Sequence, residues 1–153
     1  MAILRGLSIT GDVQNILFHR NFLENDLNSE EPGSGEIEVF VDTTIDEINA
    51  VLKTAGYTLP IVSGDSPIGY WFTRNWNAIG AAEKTERRAG GKERADDLKE
   101  DFDGMRDSIL NHTVILTDVP GAPTQEDLAG SRTSDLDEFG NVKDPFFTRA
   151  DKF

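Results

Sequence analysis

The chain has 153 residues, no cysteine, and 28 acidic against 15 basic side chains, which gives a formal charge of −13. The length fits one domain with a modest core. The missing cysteines exclude disulfide scaffolds, thiolate zinc sites and cysteine nucleophiles. The negative charge disfavours ordinary nucleic-acid binding, although it is compatible with DNA sliding past an acidic wall or with a protein that imitates DNA.

The first predicted helix covers about residues 12–25, with Thr10 as a candidate N-cap. A polar stretch rich in Gly and Pro follows, residues 26–36, which we interpret as a flexible loop. Residues 37–41, IEVFV, fit either a short strand or the approach to the next helix. Acidic residues are concentrated here, since residues 21–65 contain ten of them against the single cation Lys53.

The second predicted helix begins at a capping box, Thr44 and Glu47, and ends at Gly56. The third begins at Ser66 as N-cap with Pro67 in the first helical position, and runs to about Ala89. Seven of its residues are predicted to form the inward face: Ile68, Trp71, Phe72, Asn75, Ala78, Ile79 and Ala82.

Two further aromatic residues, Tyr70 and Trp76, lie toward the edges of that face. Because four aromatic side chains nearly encircle the helix, two interpretations stay open. Either all four lie in or at the edge of the monomer core, or one or two of them face a neighbouring subunit. Tyr70 and Trp76 are the candidates for a subunit interface.

The fourth predicted helix covers about residues 92–111, and residues 112–119, HTVILTDV, form a strand candidate. The apolar seam of this helix consists of Ala95, Leu98, Phe102, Met105 and Ile109. The fold class is therefore mainly α: a small four-helix bundle with a short β element and a long extended C-terminal arm. We place the helical domain at residues 1–116 and the arm at residues 117–153.

No catalytic or metal site emerges from the sequence. The two histidines, His19 and His112, lack the neighbours that a metal site or a catalytic triad needs. Residues 135–144 resemble a calcium loop, but Phe139 and Phe146 stand where two ligands are required. We therefore predict neither enzymatic activity nor a cofactor. No apolar run reaches transmembrane length, and the N-terminal one is too short for a secretory signal, so we expect a soluble protein made in the cytosol.

The C-terminal arm is polar except for three phenylalanines, Phe146, Phe147 and Phe153. Exposed phenylalanines in such a segment invite aggregation, so we predict that they dock on a partner. The alternative is that they fold back onto the same domain.

One stretch resembles a known protein family. Its signature is a helix containing Asp46, Ile48 and Leu52, followed by the element Gly56, Tyr57, Leu59 and Pro60. An aromatic helix from Trp71 to Ala82 and an amphipathic helix from Leu98 to Leu110 come next. This order resembles the small helical head–tail connector (adaptor) proteins of tailed bacteriophages, over about residues 42–110. The loop 26–36 and the extension after residue 117 depart from the family pattern.

The resemblance implies a structural protein of the virion neck, made in the cytoplasm of the host bacterium. It implies a homo-oligomeric ring, with twelve copies expected, that joins the portal protein to tail or stopper proteins. DNA would pass through the ring without specific binding, and no membrane would be involved. We predict that the portal or a neighbouring copy contacts Val114, Ile115, Leu116, Phe146, Phe147 and Phe153.

Two alternatives stay open. One is an acidic DNA-mimic inhibitor of a DNA-handling enzyme, whose acids should follow one face at phosphate-like spacing. Against it, the densest acidic cluster falls in the predicted loop. The other is a neck stopper or tail-terminator protein, a class built mostly from β-barrels or α/β folds.

Overall fold

The computed structural model describes residues 7–18 and 32–124. They form four helices: α1 (Leu7–Ile16), α2 (Ser34–Thr54), α3 (Pro67–Arg88) and α4 (Lys92–Leu110). The described residues contain no strand, so this part of the chain is mainly helical, as predicted. α3 contacts each of the other three helices. By its contacts the chain divides into two units, residues 1–122 and 123–153, and all four helices belong to the first.

The core of the first unit is built around α2. Its buried residues Ile37, Val41, Ile45, Ile48 and Leu52 recur every three or four positions, which places them on one side of the helix. They belong to one apolar cluster with side chains from α1, α3 and α4. Burying each such side chain stabilises the fold by roughly 1.5–3 kcal/mol.

α2 begins ten positions before the predicted capping box. Thr44 lies in the middle of the helix, fully buried, and its hydroxyl has no hydrogen-bond partner among the described residues, so its prediction as an N-cap is wrong. Residues 37–41 are helical for a physical reason. The apolar repeat continues upstream through Val41 and Ile37, and burial of that stripe outweighs the β propensity of the segment.

The end of α2 matches the sequence prediction. Gly56 has a φ of 94°, in the left-handed region. Its N–H donates to Lys53 O at 3.1 Å, and the N–H of Tyr57 donates to Leu52 O at 3.0 Å. These two bonds form the Schellman motif that a glycine in this position favours. The prediction of Gly56 as the residue that follows the helix is confirmed.

α1 departs from its predicted bounds. It begins at Leu7, so that Thr10 lies within the helix as a buried residue and is not its N-cap. The helix ends at Ile16, and residues 19–31, which include part of the predicted helix and of the predicted loop, lie outside the described residues. Val13 of α1 and Leu17 just after the helix are fully buried and face the core.

α3 and α4 lie within one residue of their predicted bounds. On α4, Ala95, Leu98 and Ile109 are buried, whereas Phe102 and Met105 are half-buried against the core. The predicted seam of α4 is therefore confirmed. Two ion pairs join α3 to α2, Lys84 Nζ with Glu47 at 3.2 Å and Arg88 Nε with Glu36 at 3.4 Å.

Residues 113–122, which we call the closing segment, return from α4 to the start of α3. The strand predicted over residues 112–119 is wrong, since this region consists of turns. Its backbone finds partners in loops and side chains. Thr58 N–H donates to Pro120 O at 2.7 Å, and the N–H of Leu116 donates to the Tyr57 hydroxyl at 3.1 Å. Leu116 and Val119 are buried in the core, which accounts for the apolar residues that resemble a strand.

Candidate docking surface on the third helix

The first turn of α3 is capped by a residue distant in sequence. The carboxylate of Asp118 accepts hydrogen bonds from the N–H groups of Ile68, at 2.6 Å, and Gly69, at 3.0 Å. Ser66 occupies the N-cap position as predicted, but its hydroxyl donates to the carbonyl oxygen of Asp118 at 2.7 Å. The closing segment thus satisfies N–H groups that every helix start leaves without intrahelical partners.

Gly69 allows the closing segment to pack directly against the first turn of α3. A Cβ atom at this position would collide with the side chain of Val119, which is buried. The start of α3 and the closing segment therefore form one packed unit, and the position of Ile68 depends on both.

Large apolar side chains lie on the solvent side of the first half of α3. Ile68 is 63% exposed and Trp71 is 67% exposed. With neighbouring residues they line one shallow, open depression, which we call the α3 outer face: Pro67, Ile68, Trp71, Phe72 and Asn75. Two exposed large apolar side chains next to one another are typical of a surface that contacts another molecule.

Trp71 is held in place by a pair of charged residues. The guanidinium carbon of Arg74 lies 5.6 Å from the centroid of the Trp71 ring, a distance at which cation–π attraction contributes about 0.5–1 kcal/mol. Arg74 in turn donates two hydrogen bonds to Asp12 of α1, from Nε at 2.6 Å and from Nη2 at 3.1 Å. The hydrogen bond to Asp12 raises the pKa of Arg74 above its ordinary value. The cation that lies over the Trp71 ring is therefore itself bonded to α1.

The inner side of α3 is built mostly from small and polar residues. Gly69, Thr73, Asn77 and Gly80 are buried there, together with one large side chain, Trp76. A Cβ on Gly80 would lie 2.6 Å from both Phe102 and Thr44, so these small residues allow α2 and α4 to pack closely. The predicted inward face is confirmed for the buried Ala78 and Ala82.

For Ile68, Trp71 and Asn75 the predicted inward face is wrong, since all three are exposed. The side of the helix that packs against α2 and α4 is the one with small residues. Trp76 is fully buried, its indole N–H donating to the carbonyl oxygen of Phe102 at 3.0 Å. It lies inside the monomer, so its prediction as a subunit-interface residue is corrected. Tyr70 is half-buried, and its role at an interface stays a prediction.

The predicted partner-binding residues differ in their positions. Val114 and Ile115 are half-buried, and their contact with a partner stays a prediction. Leu116 is 1% exposed and packs in the core of its own chain, so its prediction as a partner contact is wrong. The phenylalanines of the arm lie outside the described residues, as do His19 and the calcium-like stretch 135–144.

Most acids of the predicted loop 26–36 lie outside the described residues. Glu36, predicted in the same loop, lies on α2. Glu36, Glu38, Asp46 and Glu47 are exposed on it. Within residues 7–18 and 32–124, no three histidine, aspartate or glutamate side chains come together as metal ligands. None of the helices in the same two ranges has the length and hydropathy needed to cross a bilayer.

No known protein family, curated protein or solved structure matches the chain. The function therefore has to be inferred from the residues themselves. The α3 outer face contains Trp71, and Arg74 lies over that ring. Tryptophan and arginine are enriched where proteins bind one another most strongly.

Proposed function

We propose that the protein is a structural component of a bacteriophage neck. In this role it is an adaptor that forms a ring of twelve copies, joins the portal to the tail and extends the DNA channel. It contacts the portal, neighbouring copies and tail or stopper proteins, and DNA passes without specific binding. The protein acts in the virion neck after synthesis in the bacterial cytoplasm.

The observation that carries the proposal is the α3 outer face. A ring subunit of a neck needs, besides its heterologous contacts with neighbouring copies, a surface that contacts a different protein. The exposed Ile68 and Trp71 on a domain of this size supply such a surface. The other candidate contacts are Tyr70, Val114 and Ile115, together with Phe146, Phe147 and Phe153.

The charge supports the same role. Exposed acidic side chains outnumber exposed basic ones on α2 and on α4. Three of these acids, Glu36, Glu47 and Asp96, pair with cations of α3. A negative wall keeps DNA from adhering as it moves through a channel. A protein that bound DNA tightly at this point would slow its passage.

Native mass spectrometry of the full-length chain, mixed with the portal protein encoded beside it, tests the proposal. We expect a stoichiometric portal–adaptor ring. A chain that ends at Ala122 tests the arm, because it keeps the buried Leu116 and Val119. Persistent monomers beside an unbound portal would contradict the neck role. A ring of undiminished stability from the shortened chain would contradict the role of the three phenylalanines.

One observation favours a second candidate, the DNA-mimic inhibitor. Glu38, Asp42 and Asp46 recur every four residues on α2, which separates them by about 6 Å along the helix axis. Glu38 and Asp46 are exposed, and Asp42 is half-buried. Tight, salt-sensitive binding to a DNA-handling enzyme, lost in the Glu38→Gln and Asp46→Asn double variant, would establish this function. The stopper and tail-terminator alternative is less favoured, because the described residues are helical and contain no strand.

A further inference from the structure

The α3 outer face has the spacing of a helix-packing surface. Ile68, Trp71, Phe72 and Asn75 stand at positions i, i+3, i+4 and i+7 of one helix, so their side chains form a continuous row. Rows of this kind pack against the side chains of a second helix or receive an amphipathic helix. The first three residues are large and apolar, and the fourth carries an amide that can hydrogen-bond to a partner.

Acidic groups stand around this row. Asp118 lies at its start, bonded to the N–H of Ile68, and the exposed Asp65 comes two positions before Pro67 in the chain. Asp12 accepts a hydrogen bond from Arg74, whose guanidinium lies over the Trp71 ring. The charge of Arg74, the cation that stacks on the face, is therefore balanced by Asp12. The surroundings of the row are net negative.

We propose that the α3 outer face binds an amphipathic helix of a different protein, whose apolar side is flanked by lysine or arginine. Apolar contact with Ile68 and Trp71 provides affinity, and basic flanks complement Asp65 and Asp118. This inference does not depend on ring formation, because it concerns the chemistry of one partner at one surface.

A second copy of this chain fits the surface less well. Two copies meeting through this same face would bring Asp65 and Asp118 of each copy together, and each copy carries a formal charge of −13. Like charges across an interface oppose association. A basic partner removes this repulsion and turns the same groups into favourable contacts.

The ring of Trp71 is prepared for binding. Arg74 and Asp12 fix its orientation in the free protein, so little side-chain freedom is lost when a partner covers it. Tryptophan residues held in this way are typical of the few positions that dominate an interface.

Two synthetic peptides of about 20 residues test the proposal, since helices of this length span several turns. Both carry leucine at positions i, i+3, i+4 and i+7 and contain no tryptophan. One has lysine beside the leucines, and the other has glutamate. The full-length protein reports binding through its own tryptophans, because acrylamide reaches the exposed Trp71 but not the buried Trp76.

We expect the lysine peptide to protect Trp71 from acrylamide and to bind about tenfold or more tightly than the glutamate peptide. The difference should shrink when sodium chloride rises from about 0.05 to 0.5 M, because salt screens the attraction between exposed charges. Equal binding of the two peptides, or binding of neither, would overturn the proposal.

Two matched variants locate the binding. Ile68→Lys places a charge in the row but leaves Trp71 as the reporter. It should lower the affinity for the lysine peptide about 30-fold. Val39→Lys is the control, because Val39 is 61% exposed against 63% for Ile68 and lies on α2. It should leave the affinity unchanged. Equal loss in both variants would show that net charge, and not the row, determines binding.

Sedimentation of the protein alone tests the second copy as the occupant. A dimer that is dissolved by Ile68→Lys and kept by Val39→Lys would overturn the proposed partner. A portal–adaptor ring that forms in mass spectrometry without selectivity for the lysine peptide would leave the neck role standing and reject this inference. Selective binding of the lysine peptide without a portal–adaptor ring would leave this inference standing and reject the neck role.

Discussion

Asp118 shows how a single side chain can hold together two parts of the chain that are distant in sequence. Its carboxylate binds two N–H groups of α3 across 50 and 49 positions. A carboxylate at this end of a helix also interacts favourably with the helix dipole. Ser66 and Pro67 indicate from the sequence where the helix begins. They do not indicate which group caps it, because that depends on the path of the closing segment.

Replacing Asp118 by alanine should lower the free energy of unfolding by about 1–2 kcal/mol, because the first turn loses its cap. Asp65→Ala removes the same charge from an exposed position near the same helix end, and should change stability by less than about 0.5 kcal/mol. Urea unfolding followed by circular dichroism measures both. Equal losses in the two variants would mean that charge near α3, and not the cap, stabilises its start.

Asp103 makes stability depend on pH. The hydrogen bond from Lys99, at 2.7 Å, lowers the pKa of Asp103 below its ordinary value of 3.8, with a smaller effect from Arg106. A carboxyl whose pKa is lower in the folded chain stabilises that state above the unfolded pKa. This contribution is lost as the pH falls through the folded pKa.

Unfolding experiments between pH about 5 and 2 should therefore show a smaller acid-induced loss of stability in Asp103→Asn than in the unchanged protein. The difference is at most about 1 kcal/mol, because the pair is partly exposed and screened by solvent. Lys99→Met removes the chief cause of the shift and should reduce the loss similarly. An unaltered pH dependence in both variants would contradict this account.

Among the elements, sequence patterns predict α4 and the bounds of α3 well. The cause is local: Ser66-Pro67 and Gly90-Gly91 bracket α3, and the seam of α4 is regular. For α2, Thr44 and Glu47 resemble a helix start, yet the spacing of Ile37, Val41 and Ile45 already indicates a longer helix. Local capping residues compete with periodicity there, and burial of the apolar stripe decides.

The candidate site is predictable only in part. The sequence concentrates aromatic residues in α3 but does not say which face is buried, because large side chains stand on both. A Cβ atom at position 80 would lie 2.6 Å from side-chain atoms of Phe102 and Thr44. The face that packs against α2 and α4 therefore has to carry small residues. Trp76 is therefore enclosed, and Trp71 stays exposed. Gly69, Thr73, Asn77 and Gly80 were the signal, since small and polar residues that recur every three or four positions favour close helix packing.

The helical glycines of α3 and α4 provide a matched pair of substitutions. Gly104→Ala should stabilise the protein by about 1 kcal/mol, because alanine favours helix and the added Cβ meets nothing within 4 Å. Gly80→Ala gains the same propensity, but its Cβ would lie 2.6 Å from Phe102 and Thr44. It should destabilise by about 1–3 kcal/mol. Thermal and urea unfolding measure the two variants, and a stabilising Gly80→Ala would contradict the close packing of α3.

In the whole molecule, the closing segment completes the helical unit. It buries Leu116 and Val119, satisfies the hydroxyl of Tyr57 and caps α3. The apolar residues of this segment can be recognised in the sequence. The prediction of a strand fails because a strand needs a neighbouring strand for its backbone hydrogen bonds. The described residues contain no strand, so the backbone of this segment bonds to loops and side chains.

Two shortened chains measure its contribution. A chain that ends at Ala122 should unfold cooperatively, because it keeps the whole first unit, which includes the four helices and the closing segment. A chain that ends at Asn111 loses roughly 4–7 kcal/mol from two buried side chains and one cap. Small domains have only 5–15 kcal/mol in total, so the second chain should lack a cooperative transition in circular dichroism. Cooperative unfolding of both chains would contradict this role.

The cap on Ile68 has a consequence for recognition. Whenever the closing segment detaches, the first turn of α3 loses the partners of its N–H groups and tends to fray, which moves the side chain that begins the α3 outer face. A partner that holds Ile68 in its helical position strengthens the attachment of the closing segment. By thermodynamic reciprocity, the attachment strengthens the partner's binding by the same free energy. Substitutions at Val119 would thus tune affinity from a place that the partner never touches.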